Sequence, residues 1–218
     1  MSGIVAPRVD TAKRIGGMPM RAQMARTIVD LLDEDPRLFV VLADITTDAF
    51  DSAARRHPDR VVNVGIMEQT MISLAAGTAL EGFIPVCHTL VPFLVERPFE
   101  QLKDDFCYQR LGGNFVSSGA SYDYSQMGMT HHGPGDVAIL RTLPGMEIVV
   151  PGTATEFDRL FRQAYADGSP TYFRTSLAKN REDRDVGSPR GPHTTGIPFQ
   201  LQVELAPGLG IRFRSNSM

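Results

Sequence analysis

Apolar residues recur at helical spacing over Met20, Met24, Ile28, Leu31 and Leu32, and Pro36 closes the segment, which predicts a helix. The run "LFVVLA" (38–43) is continuously apolar and of strand length, as in a strand covered on both faces. The pattern then predicts a short helix near 49–57, a strand at 61–64, and a helix opening near Glu68 and ending by Gly82. "IPVCH" (84–88) reads as the third strand, and 91–110 as helix with Pro98 as a kink or break. Strand 114–118, a Gly/Ser/Tyr-rich loop (119–135), a helix near 136–142 and strand 146–150 follow. Helix 154–167 lines up Phe157, Leu160, Phe161, Ala164 and Tyr165 on one face, and "PTYFRT" (170–175) is the last strand.

Strands that alternate with helices predict an α/β three-layer sandwich, a mainly parallel sheet with helices on both sides. Such sheets place ligands at the carboxyl ends of their strands, so Glu68, His88 and the 119–135 loop are expected to share one rim. Residues 1–18 read as a flexible arm, 19–180 as the domain, and 181–218 as a charged, Gly- and Pro-rich tail, docked or disordered. Within the tail only "IPFQLQVELA" (197–206) has the makings of another strand or helix.

Composition narrows the class. The 42% hydrophobic and 22% charged content is that of a globular protein. A net charge of -3 without a Lys/Arg-rich run offers no nucleic-acid footprint. No apolar run approaches the ~20 residues needed to cross a bilayer, and the N-terminus lacks the apolar centre of a secretory signal. Cys87 and Cys107 are too few for a four-thiolate zinc site and read as buried residues of a reducing compartment. A cytoplasmic location is expected.

Three stretches carry candidate chemistry. In "VNVGIMEQTMISLAAG" (61–76) Glu68 stands at the mouth of an otherwise apolar helix, where the free N–H groups also favour a carboxylate for purely structural reasons. In "HTLVPF" (88–93) Phe93 lies just beyond a strand end, placed either to stack on a planar ligand or to plug the core. The loop "MTHHGPGD" (129–136) holds His131 and His132, candidates for proton transfer or substrate hydrogen bonding rather than metal chelation.

The order of these stretches, with "ADITTD" before them and "PTYFRT" after, resembles the pyrimidine-binding domain of transketolases from about Arg21 to Thr175. The Gly-Ile-x-Glu-Gln core is its most specific part. The resemblance implies that Glu68 contacts the aminopyrimidine of thiamine diphosphate, and that Asp44, Leu90 and Phe93 lie at the cofactor. Leu90 stands where the family has the first aromatic of Thr-Phe-x-x-Phe. His131, in the Thr130-His131 pair, would contact substrate. Thiamine diphosphate supplies a carbanion at its thiazolium ring, and a desolvated carboxyl group at the pyrimidine nitrogen helps that form arise at neutral pH. Glu68 and His131 are therefore the expected catalytic residues.

The family holds the diphosphate through Mg²⁺ on a separate domain with a Gly-Asp-Gly motif, and the only Asp-Gly here is Asp167-Gly168, at a helix end. The family's third domain has no counterpart beyond the tail. The resemblance thus implies one subunit of a split transketolase-like enzyme. Its partner would be a diphosphate-binding subunit that holds Mg²⁺, in a heterotetramer with two copies of each. Met127-Gly128-Met129 replaces the family's Asp-Gly-Pro, and Leu177 stands in place of a phosphate-binding Arg, with Arg174 and Lys179 nearby. These departures favour an unphosphorylated or modified small-molecule acceptor in a specialised biosynthetic pathway. The alternatives are a subunit of a 2-oxoacid dehydrogenase or decarboxylase, and a non-catalytic regulatory paralogue.

Overall fold

The computed structural model describes residues 18–177 and 212–213. In chain order the elements are α1 (Met20–Glu34), β1 (Leu38–Leu42), α2 (Thr47–Arg56), β2 (Val61–Asn63), α3 (Glu68–Leu80), β3 (Ile84–Leu90) and α4 (Val91–Val95). They continue with α5 (Phe99–Gln101), β4 (Gly113–Ser118), α6 (Asp136–Leu140), β5 (Glu147–Val149), α7 (Ala154–Ala164), β6 (Pro170–Thr175) and β7 (Arg212–Phe213). The sheet order is β2-β1-β3-β4-β6-β5-β7. The first six strands are mutually parallel, and β7 pairs antiparallel with β5 at the edge.

Because successive strand residues point to opposite faces, β1 feeds two cores at once. Leu38, Val40 and Leu42 enter a cluster with Met24, Ile28 and Leu32 of α1, Phe50 of α2, and Phe157 and Phe161 of α7. Phe39 and Val41 enter the opposite cluster with Met71 and Ile72 of α3, Phe106, and Leu140 of α6. Full burial of each such side chain stabilises the fold by roughly 1.5–3 kcal/mol. The three-layer architecture expected from the alternating pattern is therefore the one found.

Local chemistry sets the ends of the elements. The Thr153 hydroxyl accepts from Glu156 N at 3.1 Å while the Glu156 carboxylate accepts from Gly152 N at 2.6 Å, a reciprocal cap that starts α7. Pro98 has no N–H to donate and divides the predicted 91–110 helix. After it, α5 runs into a wider π-helical turn, Leu102–Tyr108. Strand β3 extends past the predicted His88, because Thr89 and Leu90 pair with Ser117 and Ser118 of β4. In the tail, residues 197–206 lie outside the described residues, and the short β7 falls beyond that predicted segment.

Candidate functional site

The chain turns from β2 into α3 on an Asn-centred turn. Asn63 Oδ1 accepts from Gly65 N at 3.1 Å, Gly65 takes φ +73°, and Met67 N bonds back to Gly65 O. This sharp exit makes Glu68 the first residue of α3 at the carboxyl-end rim of the sheet. Its side chain is 1% exposed, and Arg97 donates to its Oε2 at 2.6 Å.

Arg97 follows α4, one helical turn after Phe93, and its guanidinium carbon stands 4.3 Å from the Phe93 ring centroid. Phe93 in turn meets the His131 ring edge-on, with centroids 5.2 Å apart, and the Thr130 hydroxyl lies 2.9 Å from His131 Nδ1. Glu68, Phe93 and His131, brought from three segments, thus form one continuous line of contacts through Arg97. Sequence reasoning missed Arg97. The available signal was an Arg four residues after a Phe, ahead of a helix-breaking Pro.

Asp44 and Leu90 occupy the same end of the sheet but stand outside that line. Asp44 is exposed, with φ +57°, and exchanges two hydrogen bonds with Asn63: Asp44 N to Asn63 Oδ1 at 3.0 Å and Asn63 Nδ2 to Asp44 Oδ1 at 2.8 Å. Asn63, missed in the same way, ties the loop after β1 to the loop after β2. A polar residue closing an otherwise apolar strand was its sequence signal. Leu90 is buried at the end of β3. The exposed apolar residues near the rim are instead Ile66, Met67, Tyr122, Met127 and Met129.

His88 does not join the rim. It lies within β3 and is fully buried, with Nε2 2.8 Å from the Thr46 hydroxyl and Nδ1 2.7 Å from Val116 O. Arg21 donates to the same hydroxyl at 2.9 Å. Desolvation, with the positive Arg21 nearby, pulls the His88 pKa down to about 4 against the opposing Val116 bond. It is a neutral core residue. Both thiols are buried as well, and burial pushes that of Cys107 up to about 12.

The loop that carries His131 is fastened at its base. Arg174 donates to Asp136 Oδ2 at 2.7 Å and to the Ser121 hydroxyl at 2.8 Å, so one guanidinium grips both ends of the loop. Asp136, 1% exposed, also accepts from the Tyr172 hydroxyl and from Val137 N, both at 2.8 Å. Burial beside Asp136 drives the Tyr172 phenol well above its ordinary pKa, so it stays a donor. Gly133 lies so near α4 that a Cβ there would sit 2.2 Å from Val91 Cγ1. Leu177 N and the Ser176 hydroxyl both bond Asp123 Oδ2. Arg174 is therefore committed to the fold rather than offered to an anion, while Lys179 lies outside the described residues. His132 instead meets the Tyr122 ring edge-on, with centroids 5.2 Å apart.

At the ends of β3 and β4 the buried hydroxyls of Thr89 and Ser118 have no hydrogen-bond partner among the described residues. Among those residues no cluster of His, Cys, Asp or Glu is arranged to hold a metal ion, and no helix is long and apolar enough to cross a membrane.

Comparison with known proteins bears on this geometry. The chain is 42% identical over 183 residues to an uncharacterized 33.6 kDa protein in the fasciation locus of Rhodococcoides fascians, covering 84% of this chain and 58% of that one. It is 34% identical to 1-deoxy-D-xylulose-5-phosphate synthase of Syntrophus aciditrophicus, covering 81% of this chain and 26% of the synthase. It is 31% identical to one subunit of the apulose-4-phosphate transketolase of Actinobacillus succinogenes, covering 69% of this chain and 49% of that subunit. The chain thus spans less than two thirds of the length of each of these relatives.

Among solved structures, a split-gene transketolase described as an inactive β4 tetramer superposes with a TM-score of 0.67 at 28% identity, over 77% of this chain and 54% of that one. The fold is also shared with Campylobacter jejuni transketolase, at a TM-score of 0.67 and 17% identity over 79% of this chain and 28% of that one. The family model for the transketolase pyrimidine-binding domain matches residues 16–181. With that match over most of its length, the chain belongs to the transketolase family, as its pyrimidine-binding domain.

Proposed function

We propose that this chain is the pyrimidine-binding subunit of a split, thiamine diphosphate-dependent transketolase-like enzyme. It transfers a two-carbon ketol unit between sugar-like small molecules in a specialised biosynthetic pathway, in the cytoplasm. Residues 19–180 form the cofactor-facing domain, flanked by the 1–18 arm and the 181–218 tail. The observation that carries this reading is a carboxylate, Glu68, 1% exposed at a strand-end rim and in line with an aromatic ring and a histidine. A structural carboxylate at a helix N-terminus has no need of that company.

These residues fit the cofactor. When bound, thiamine diphosphate supplies a stabilised carbanion at its thiazolium ring. Glu68 holds or shares a proton at the pyrimidine ring nitrogen from a desolvated position, where its hydrogen bond is strong. Phe93 offers a ring face for stacking, Leu90 fills the apolar floor, and Asp44 guards the β1 side of the rim. His131, oriented by Thr130 and the Phe93 edge, donates to a substrate oxygen as charge develops there. Mg²⁺ and the diphosphate are assigned to a partner subunit, in a heterotetramer with two copies of each. The likeness to a split-gene transketolase and to one subunit of the Actinobacillus transketolase supports that arrangement.

A second reading, a subunit of a 1-deoxy-D-xylulose-5-phosphate synthase-type enzyme, is favoured by the 34% identity to the Syntrophus synthase. The test is reconstitution with a diphosphate-binding transketolase subunit, thiamine diphosphate and Mg²⁺. Thiazolium proton exchange is followed for the wild type and Glu68→Gln, and ketol-transfer and synthase products are assayed separately. Loss of exchange with Glu68→Gln in an intact complex is expected. Equal exchange in the two complexes would remove Glu68 from the mechanism, and an inert wild-type complex would point to a regulatory role.

A further inference from the structure

We propose that Arg97 is a resident occupant of the pyrimidine position, which an incoming cofactor must displace before Glu68 can act. The inference rests on the cofactor reading above and concerns the control of that same site.

Arg97 makes two contacts with its planar guanidinium. One is a charge-assisted hydrogen bond to Glu68 Oε2 at 2.6 Å, and the other is the stack on Phe93 at 4.3 Å. A flat aminopyrimidine held by Glu68 and Phe93 needs the same carboxylate and the same ring face. On this proposal the two compete for that surface. Exposure gives the order of the layers: the Arg97 side chain is 36% exposed and Glu68 is 1% exposed, so the guanidinium is the solvent-side cover of the carboxylate. Among the described residues Arg97 has no other side-chain hydrogen bond to hold it. It sits between exposed Glu96 and the helix break at Pro98, and its long side chain is free to swing out once the Glu68 bond is exchanged.

Such an occupant resolves a physical difficulty. A desolvated carboxylate without a partner is costly, and a pyrimidine site must keep that carboxylate desolvated before the ligand arrives. A half-exposed cation that stacks on the site's own aromatic ring supplies the missing charge and then gives way.

The test uses the full-length chain and a neutral probe, 4-amino-5-hydroxymethyl-2-methylpyrimidine, titrated by NMR into the wild type, Arg97→Met and Arg97→Lys. With the competitor removed, Arg97→Met should bind the probe about tenfold tighter than the wild type, the loss of one charge-assisted bond. Arg97→Lys, which keeps the charge but not the planar stack, should fall between them. Should Arg97→Met fail to fold, the wild type still decides the question. The Arg97 Nε–H resonance should shift on adding the probe, because the guanidinium leaves the Glu68 carboxylate and the Phe93 ring. Probe binding that is equal or weaker in Arg97→Met, or that leaves the Arg97 resonance unmoved, would mean that Arg97 does not compete for the site. That would overturn the proposal while the cofactor reading stands. No binding to any form would overturn the proposal and leave the cofactor reading to the reconstitution with a diphosphate-binding subunit.

Discussion

Two buried acid–arginine pairs lie along the same end of the sheet, and they are built differently. Asp136 and Glu68 are both 1% exposed, and each receives an arginine hydrogen bond, at 2.7 Å and 2.6 Å. Around Asp136 the bonds are several: Arg174 also holds Ser121, and the carboxylate also takes Tyr172 and Val137 N. The Glu68 carboxylate is held, among the described residues, by a half-exposed arginine that otherwise rests on an aromatic face. A fully satisfied buried pair fixes geometry, whereas a singly held one leaves a carboxylate that a ligand can claim. Burial does not distinguish the two acids, whereas the number of their protein partners does.

Substitution should sharpen this contrast. Glu68→Gln should leave the denaturation midpoint nearly unchanged, yet lower turnover of the reconstituted enzyme by up to roughly 10⁴-fold, the upper range for acid–base groups. Arg174→Met should do the reverse. It strands Asp136 as a buried charge and should cost about 3–5 kcal/mol in urea denaturation. A stable Arg174→Met protein, or an unstable Glu68→Gln protein, would break the distinction between the two pairs.

A third buried titratable group, His88, sharpens it through pH. It is neutral in the fold, with a pKa of about 4 against an ordinary 6.5, so the unfolded chain binds the extra proton. Its stabilising contribution is complete above about pH 6.5, falls as the pH drops towards 4, and totals about 3 kcal/mol. Denaturation from pH 7 to pH 4 should show that slope in the wild type and lose it in His88→Leu. Asp35, held down to about 2 by Arg37 from an ordinary 3.8, loses its contribution mainly below about pH 4 and touches only the acid edge of this window. The smallest effect is expected at the histidine pair. His131→Ala should lower turnover by roughly 10²-fold with cofactor affinity spared, while His132→Ala, at the Tyr122 side, should cost far less. Equal losses would mean that the loop, rather than a contact of His131, had been disturbed.

Much of the fold was legible because it is written in local periods. The strand runs and the Phe157–Phe161 helix face were readable, as was the break at Pro98, with ends displaced by a few residues. Pairing with β4 lengthened β3 and carried His88 from an expected rim position into the core, which no pattern within residues 84–88 encodes. Leu90, expected at the cofactor, is buried at the end of β3 through the same pairing. The candidate site was legible in part, through the motif around Glu68 and the order of the later segments. Its arginine was not, since Arg97 meets Glu68 across 29 residues of chain.

The sequence by itself determined that strands alternate with helices, that a parallel sheet results, and that a carboxylate opens an apolar helix after the second strand. These follow from backbone periodicity and turn chemistry, which act over a few residues at a time. Only the tertiary structure decided which charges meet. Strand order carries α4 and the segment after it to the mouth of α3 and sets Arg97 over both Glu68 and Phe93. It also closes Arg174 on Asp136 and Ser121. A side chain's partner depends on the direction and register of elements distant in sequence, and desolvation, which gives each pair its strength, exists only once those elements have packed.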